Sequence, residues 1–284
     1  MSFRPVWWAR SGLLQTLAGQ GRSAPRPAFR AEVWPTPDDD ELRVHFDDEV
    51  GGAAARGDDA APTVLVLHGL EGSRESVYVA EAAAQARARG MRTCVLEFRS
   101  CGGVMNRAAR TYHSGETGDL AFVVARLAAA RPRAPLFALG YSLGANVLLK
   151  WLGEVGDGAP AALVAAAAVS PPFDLDACAR RCDERYGGRI ARRFLRTLIP
   201  KALAKARQHP GRFDPDAARR SRTLRAFDDA VTAPLHGFEN AAHYYRTQSC
   251  GPFLAAIRRP TLVVTAVDDP LCDAAAIPRG ALAA

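Results

Sequence analysis

The chain has 284 residues, 48% hydrophobic and 24% charged, the make-up of a globular protein with a full core rather than of a disordered or fibrous one. Its six cysteines (Cys94, Cys101, Cys178, Cys182, Cys250, Cys272) are too sparse for a disulfide scaffold and lack CxxC spacing; Cys178 and Cys182 share a helix face at i, i+4 without the further ligands a zinc site needs. The net charge of +7 is local: residues 180–225 hold 15 Lys and Arg against 4 acids, so the remainder is slightly acidic, and with few aromatics for base stacking this block excludes a nucleic-acid surface in favour of a solvated helix face or peripheral contact with anionic membrane lipid.

In chain order, the opening MSFRPVWWARSGLLQTLAG has an apolar stretch broken at Arg10, Ser11 and Gly12, followed by no small-residue cleavage pattern. No run approaches the roughly 18 apolar residues of a membrane span, so the expectation is a cytoplasmic protein. After an Arg/Pro-rich lead (Gly21 to Pro27), FRAEVW and LRVHF read as two strands around the turn TPDDDE. Gly51 to Ala61 is a small-residue loop. Then PTVLVLHG is a continuous β-branched and leucine run, as in a strand buried on both faces of a parallel sheet.

From there the rhythm is regular: a helix (Ser76 to Arg89), the strand RTCVLEF, a polar Gly-rich loop (Arg99 to Glu116), a helix through LAFVVARLAAARP, the strand PLFALG, a helix from Ser142, and the buried strand ALVAAAAVS. Strand, helix, strand in this order implies βαβ units on a mostly parallel sheet. The rhythm breaks between Phe173 and Pro260, a basic, largely helical segment, and resumes with the buried pattern PTLVVTAV. This predicts one domain, with core residues 29–173 and 255–284 and a helical cap inserted at about 174–254.

Three motifs carry chemistry. Gly140-Tyr141-Ser142-Leu143-Gly144 lies between a strand and a helix, where G-x-S-x-G forms a sharp, strained turn. That geometry makes Ser142 a candidate nucleophile beside a helix amino terminus. His68-Gly69-Leu70-Glu71-Gly72 follows a buried strand, as in the loop that supplies one oxyanion-hole amide; the amides here would be those of Leu70 and Leu143. His68 itself reads as a structural histidine shaping the loop, in preference to a base. Asp268-Asp269-Pro270 follows the last strand, where a triad acid belongs in the order Ser, Asp, His. Asp269, immediately before Pro270, is favoured over Asp268.

Together, HGLEGS (68–73), EFRSCGG with NR (97–107), YHSGET (112–117), GYSLGAN (140–146), AVSPPFDL (168–175), FDDAVTAPLHGF (227–238) and DDP (268–270) make the chain similar to the YheT-like α/β-hydrolases over almost its whole length. The resemblance implies an α/β-hydrolase fold with helices on both faces of a mostly parallel sheet, and a serine hydrolase of acyl esters with a small-molecule ester as partner. Acyl transfer to an alcohol with the same serine is the alternative. No metal or organic cofactor is implied. Tyr112, His113, His68 and His236 become candidate pocket residues, with YHSGET equally readable as a hydrogen-bonded structural turn and His236 and His243 as ordinary polar residues of the cap.

One departure stands out. The family carries its triad histidine in a GGH motif beyond the acid, whereas no histidine follows His243 here and 15 residues follow Asp269. The expectation is a chain without the last strand and helix, exposing a sheet edge, and either catalytically impaired or served by another histidine, with His68, His113 and His236 as the candidates in principle.

Overall fold

The computed structural model describes residues 5–21, 27–47 and 60–282. The Arg/Pro lead at 22–26 and the small-residue loop at 51–59 lie outside the described residues. Helix α1 (Gly12–Gln20) is followed by β1 (Arg30–Pro35) and β2 (Glu41–Asp47), the expected antiparallel pair in the register Arg30 opposite Phe46. Next come β3 (Thr63–Leu67), α2 (Val77–Arg87), β4 (Arg92–Glu97), α3 (Gly118–Ala130), β5 (Leu136–Tyr141), α4 (Leu143–Val155) and β6 (Leu163–Val169). The last strand among the described residues is β7 (Thr261–Val264).

The seven strands form one sheet in the order β1-β2-β4-β3-β5-β6-β7, parallel from β4 to β7, with β2 antiparallel to β4. Every residue of β4 is buried, Arg92, Thr93 and Glu97 included, as befits a central strand covered on both faces. The pleat then sorts the neighbours: Leu65, Leu67, Cys94 and Leu96 pack with Leu120, Val123 and Val124 of α3 and Val147 and Leu148 of α4. Val66 and Val95, pointing the other way, pack with Val79 of α2.

From β3 the chain passes to β4 on one side and later to β5 on the other. The carboxyl ends of β3 and β5 therefore flank a topological switch point, where open α/β sheets bind ligands. Leu67 pairs with Gly140, so the segments that follow, one carrying His68 and Gly69 and the other Ser142, emerge side by side.

Between β6 and β7 the described chain is helical: α5 (Leu175–Glu184), α6 (Arg189–Gln208), α7 (Pro215–Arg220), α8 (Leu224–Phe227), a turn of π-helix (Asp228–Thr232), α9 (Ala233–His236) and α10 (Ala241–Gln248). These helices have an apolar core of their own, including Leu175, Leu195, Phe213, Phe227 and Tyr244. The apolar residues interleaved with arginines on α6 turn into that core. Arg189, Arg192, Arg193 and Arg196 stay exposed.

β7 departs from expectation. It ends at Val264 rather than Val267, and it is half-buried: Leu262 is 63% exposed and Val264, on the same face, is also exposed, and no described strand pairs with its outer edge. Helix α1 comes close to its carboxyl end, with Gly12 against the Asp268 carbonyl.

Candidate active site

Ser142 occupies the turn from β5 to α4 with φ 51° and ψ −117°, a conformation that costs a non-glycine residue on the order of 1–3 kcal/mol. The flanking glycines explain how the turn fits. A Cβ on Gly140 would lie 2.6 Å from the Gly144 carbonyl oxygen, and one on Gly144 would lie 2.5 Å from the Leu67 oxygen. The Ser142 amide donates to the Val169 carbonyl at 2.8 Å, which anchors the turn to β6.

The HGLEG loop lies directly against this serine: a Cβ on Gly69 would meet the Ser142 Cβ at 3.3 Å. The Gly69 N–H donates to the Tyr78 hydroxyl (2.9 Å) and the Glu71 N–H to the Tyr112 hydroxyl (2.9 Å). The amide between them, that of Leu70, has no acceptor among the described residues; neither does that of Leu143, and both residues line the same cavity as Ser142. Two amides at the head of a helix and in a pinned loop, beside a strained serine, can receive a developing oxyanion.

His68 is fully buried and does not line the cavity, which corrects its place among the candidate pocket residues. Its Nε2 accepts the Phe98 N–H at 3.1 Å, so Nδ1 carries the proton and donates to the Gly69 carbonyl at 2.8 Å. Burial lowers its pKa to about 4, against the opposing pull of the Gly69 carbonyl and Glu97.

The cavity is mostly apolar, walled by Leu175, Phe194, Leu198, Phe227, Val231 and Leu271 among others, so the helical segment supplies most of its lining. Tyr112, His113 and Ser114 line it as well. YHSGET is at the same time a hydrogen-bonded turn: the Ser114 N–H donates to the Tyr244 hydroxyl (2.9 Å) and its carbonyl accepts from Asn146 Nδ2 (2.7 Å). The segment therefore lines the cavity and forms a hydrogen-bonded turn at once.

His113 accepts the Gly115 N–H through Nδ1 (3.1 Å), which leaves the proton on Nε2 and no lone pair for a serine. Burial, with Lys150 and Arg110 nearby, lowers its pKa to about 3. Its ring meets His236 edge to face at 4.6 Å. His236 does not line the Ser142 cavity, a second correction; with His113, Arg110, Glu116 and Arg212 it lines a neighbouring open cleft. The other three histidines are committed elsewhere: His45 to Glu97, His209 to the Arg107 carbonyl, and His243 to the Glu239 N–H.

Asp269 is buried, and its Oδ1 accepts the N–H groups of Leu271 (2.8 Å) and Cys272 (3.0 Å). Among the described residues no histidine pairs with it, and none with Asp268. No group of three or more His, Cys, Asp or Glu among the described residues is placed to hold a metal.

Several residues of the site escape sequence reasoning. Lys201 Nζ reaches Glu71 Oε1 at 2.5 Å, and Lys205, 0% exposed, donates to the carbonyls of Asn106 (2.7 Å) and Ala108 (2.8 Å); both lysines line the cavity. Asp228, from FDDAVT, also lines it and accepts from Thr232 Oγ1 (2.5 Å) and the Tyr245 hydroxyl (2.6 Å), with burial raising its pKa to about 6. Asp38 and Asp40 are more than turn residues: with Asp119 they surround the buried Arg99 guanidinium, and Asp40 also accepts from Asn106 (2.5 Å), which accounts for EFRSCGG and NR as scaffolding beneath the site.

A family model for the alpha/beta hydrolase fold matches residues 62–281. The chain belongs to the α/β-hydrolase fold family. Within that family this α/β-hydrolase is similar to YheT of Escherichia coli strain K12, an esterase by designation, at 39% identity over 77% of this chain and 64% of YheT. It is 28% identical to human phospholipase ABHD3 over 98% of this chain and 68% of that protein, and 29% identical to a Saccharomyces cerevisiae monoacylglycerol lipase over 75% of this chain and 49% of that one. The chain thus spans between half and about two thirds of these relatives' lengths. Among solved structures, Pyrococcus furiosus esterase Pf2001 superposes with a TM-score of 0.54 at 17% identity, covering 91% of this chain and 80% of that one, a likeness of fold. The YheT-like α/β-hydrolase recognised from the seven segments is borne out.

Proposed function

We propose that this α/β-hydrolase cleaves acyl esters, with Ser142 as nucleophile and the Leu70 and Leu143 amides as oxyanion hole. The observation that carries the reading is the strained Ser142 beside two uncommitted amides, all three residues lining one mostly apolar cavity. Ser142 Oγ would attack the ester carbonyl while the carbonyl oxygen gathers charge against the two amides; the C–O bond to the alcohol then breaks, the serine proton leaves on the alcohol oxygen, and water hydrolyses the acyl-serine to the free acid and Ser142. The apolar walls suit the hydrocarbon part of such an ester, and relatives named esterase, phospholipase and lipase support the same reaction class.

The test is hydrolysis of p-nitrophenyl butyrate by the chain beside Ser142→Ala, with folding followed by circular dichroism. Activity lost in the variant is the expected result; a folded wild type with no Ser142-dependent turnover removes the proposal. Among the described residues no histidine bonds Ser142 or Asp269, which favours a second reading, in which the serine and its acyl chamber persist without an effective base. It predicts slow, stoichiometric acylation of Ser142 with no turnover beyond it. Product analysis in ethanol separates hydrolysis from acyl transfer to an alcohol: an ethyl ester reports transfer.

A further inference from the structure

Resting on the reading of Ser142 and Leu70 just given, we infer that Lys201 on helix α6 is a positioning residue: through Glu71 it fixes the direction of the Leu70 amide, so that seating of the helical segment on the core assembles the oxyanion hole.

Leu70 sits between two residues whose amides are spent on tyrosine hydroxyls, Gly69 on Tyr78 and Glu71 on Tyr112. Glu71 has a positive φ of 56°, a backbone state a glutamate holds only when its surroundings enforce it. Three contacts enforce it. The Tyr112 hydroxyl accepts the Glu71 N–H at 2.9 Å and donates to Glu71 Oε1 at 2.7 Å, closing a ring around the residue. Lys201 Nζ bonds the same Oε1 at 2.5 Å and stands 5.3 Å from the centre of the Tyr112 ring, so it holds both partners at once. Tyr112 in turn stacks on Phe98 at 5.7 Å, and Phe98 donates its N–H to His68, which ties the bridge to the first residue of the same loop.

The carboxylate is nearly buried and the ammonium mostly so, with side-chain exposures of 9% and 18%. Removing the lysine leaves a buried carboxylate without its counter-charge, and such a group relaxes towards water. The backbone held at positive φ relaxes with it. Because Lys201 comes from α6 while Glu71 and Tyr112 come from the core, lifting the cap would withdraw one of the three contacts that fix the Leu70 amide. Lys201 also lines the cavity, so the bridge lies within reach of whatever occupies it.

The experiment compares wild type, Lys201→Met, Glu71→Gln, the double variant and Lys201→Arg by amide hydrogen exchange over residues 69–72 and by affinity for butylboronic acid, which forms a tetrahedral adduct on a serine. Methionine keeps the aliphatic stem over Tyr112, and Tyr112→Phe probes the bridge from the core side should the lysine variants misfold. Faster exchange confined to the loop and roughly tenfold weaker boronate binding are expected in each single variant, a part of the 10²–10³ that loss of a whole oxyanion donor costs. The double variant should be no worse than either single one, and Lys201→Arg should recover most of the loss. Unchanged loop exchange overturns the inference, as does faster exchange beside unchanged boronate affinity. Faster exchange in variants of a wild type that binds no boronate overturns the reading of Ser142 instead and leaves the Lys201 bridge standing.

Discussion

Gly144 and Leu67 approach so closely that the first turn of α4 rests on the end of β3: a Cβ on the glycine would lie 2.5 Å from the leucine carbonyl oxygen and 2.6 Å from that of His68. Neither neighbour can give way, since both are strand-end backbone. Gly144→Ala should therefore push the helix off the sheet and with it move Ser142. The expected outcome is a loss of several kcal/mol in urea unfolding together with loss of reaction at Ser142. A stable, fully reactive Gly144→Ala protein would contradict this account of the turn.

Three histidines are held neutral by burial: His68 with a pKa of about 4, His113 of about 3 and His236 of about 2. Each is near 6.5 when unfolded, so unfolding takes up protons below that pH and the stability they lend, complete above pH 6.5, is lost as the pH falls towards 4. Asp228 works the other way. Its folded pKa of about 6 exceeds the unfolded value near 3.9, so between those limits it binds a proton in the folded state alone. From these four groups the net uptake is about two protons, and their contribution to the unfolding free energy should fall by about 3 kcal/mol per pH unit between pH 6 and pH 4. Urea midpoints across that range check it, and a flat profile would refute the histidine assignments. By the same sign, Asp228→Asn should stabilise the protein at pH 8 by about 1–2 kcal/mol and leave it unchanged at pH 4.

The sheet was readable because β3 and β6 are near-continuous apolar runs and because G-x-S-x-G marks a strand-to-helix turn by itself. β7 misled in length and burial: Leu262 and Val264 are apolar, but their burial depends on what covers their face of the sheet, which the strand's own residues do not specify. Asp38 and Asp40 looked like turn formers because their partner, Arg99, is some 60 positions away. Lys201 and Lys205 were hidden in a run of basic residues, where only the register of α6 separates two inward lysines from the solvated arginines beside them. The positions of Tyr112 and His113 against Ser142 depend on the packing of loop on loop, which no local pattern encodes.

Lys205 has no carboxylate bonded to it. Burial lowers its pKa to about 8, and its ammonium binds the Asn106 carbonyl and Oδ1 and the Ala108 carbonyl. Lys205→Met would strand those buried acceptors at a cost of about 1–3 kcal/mol and free the end of α6 from the core. Limited proteolysis should then cut within residues 189–220 first. Resistance equal to wild type would show that other contacts hold the helix.

The exposed arginines of α6 offer charge without accompanying apolar side chains, since Phe194, Leu195 and Leu198 face inward. Any attraction to a membrane surface should be electrostatic: sedimentation with anionic vesicles at low salt, abolished by salt of about 0.5 M, and none with neutral vesicles. Equal binding to both vesicle types would contradict that expectation.

The most direct test of the central claim is intact-mass analysis after treatment with a fluorophosphonate, a reagent that modifies a serine able to attack. The account predicts one adduct per chain, mapped to Ser142 and absent from Ser142→Ala. A folded wild-type chain that remains unmodified, or an adduct on another residue, would contradict it.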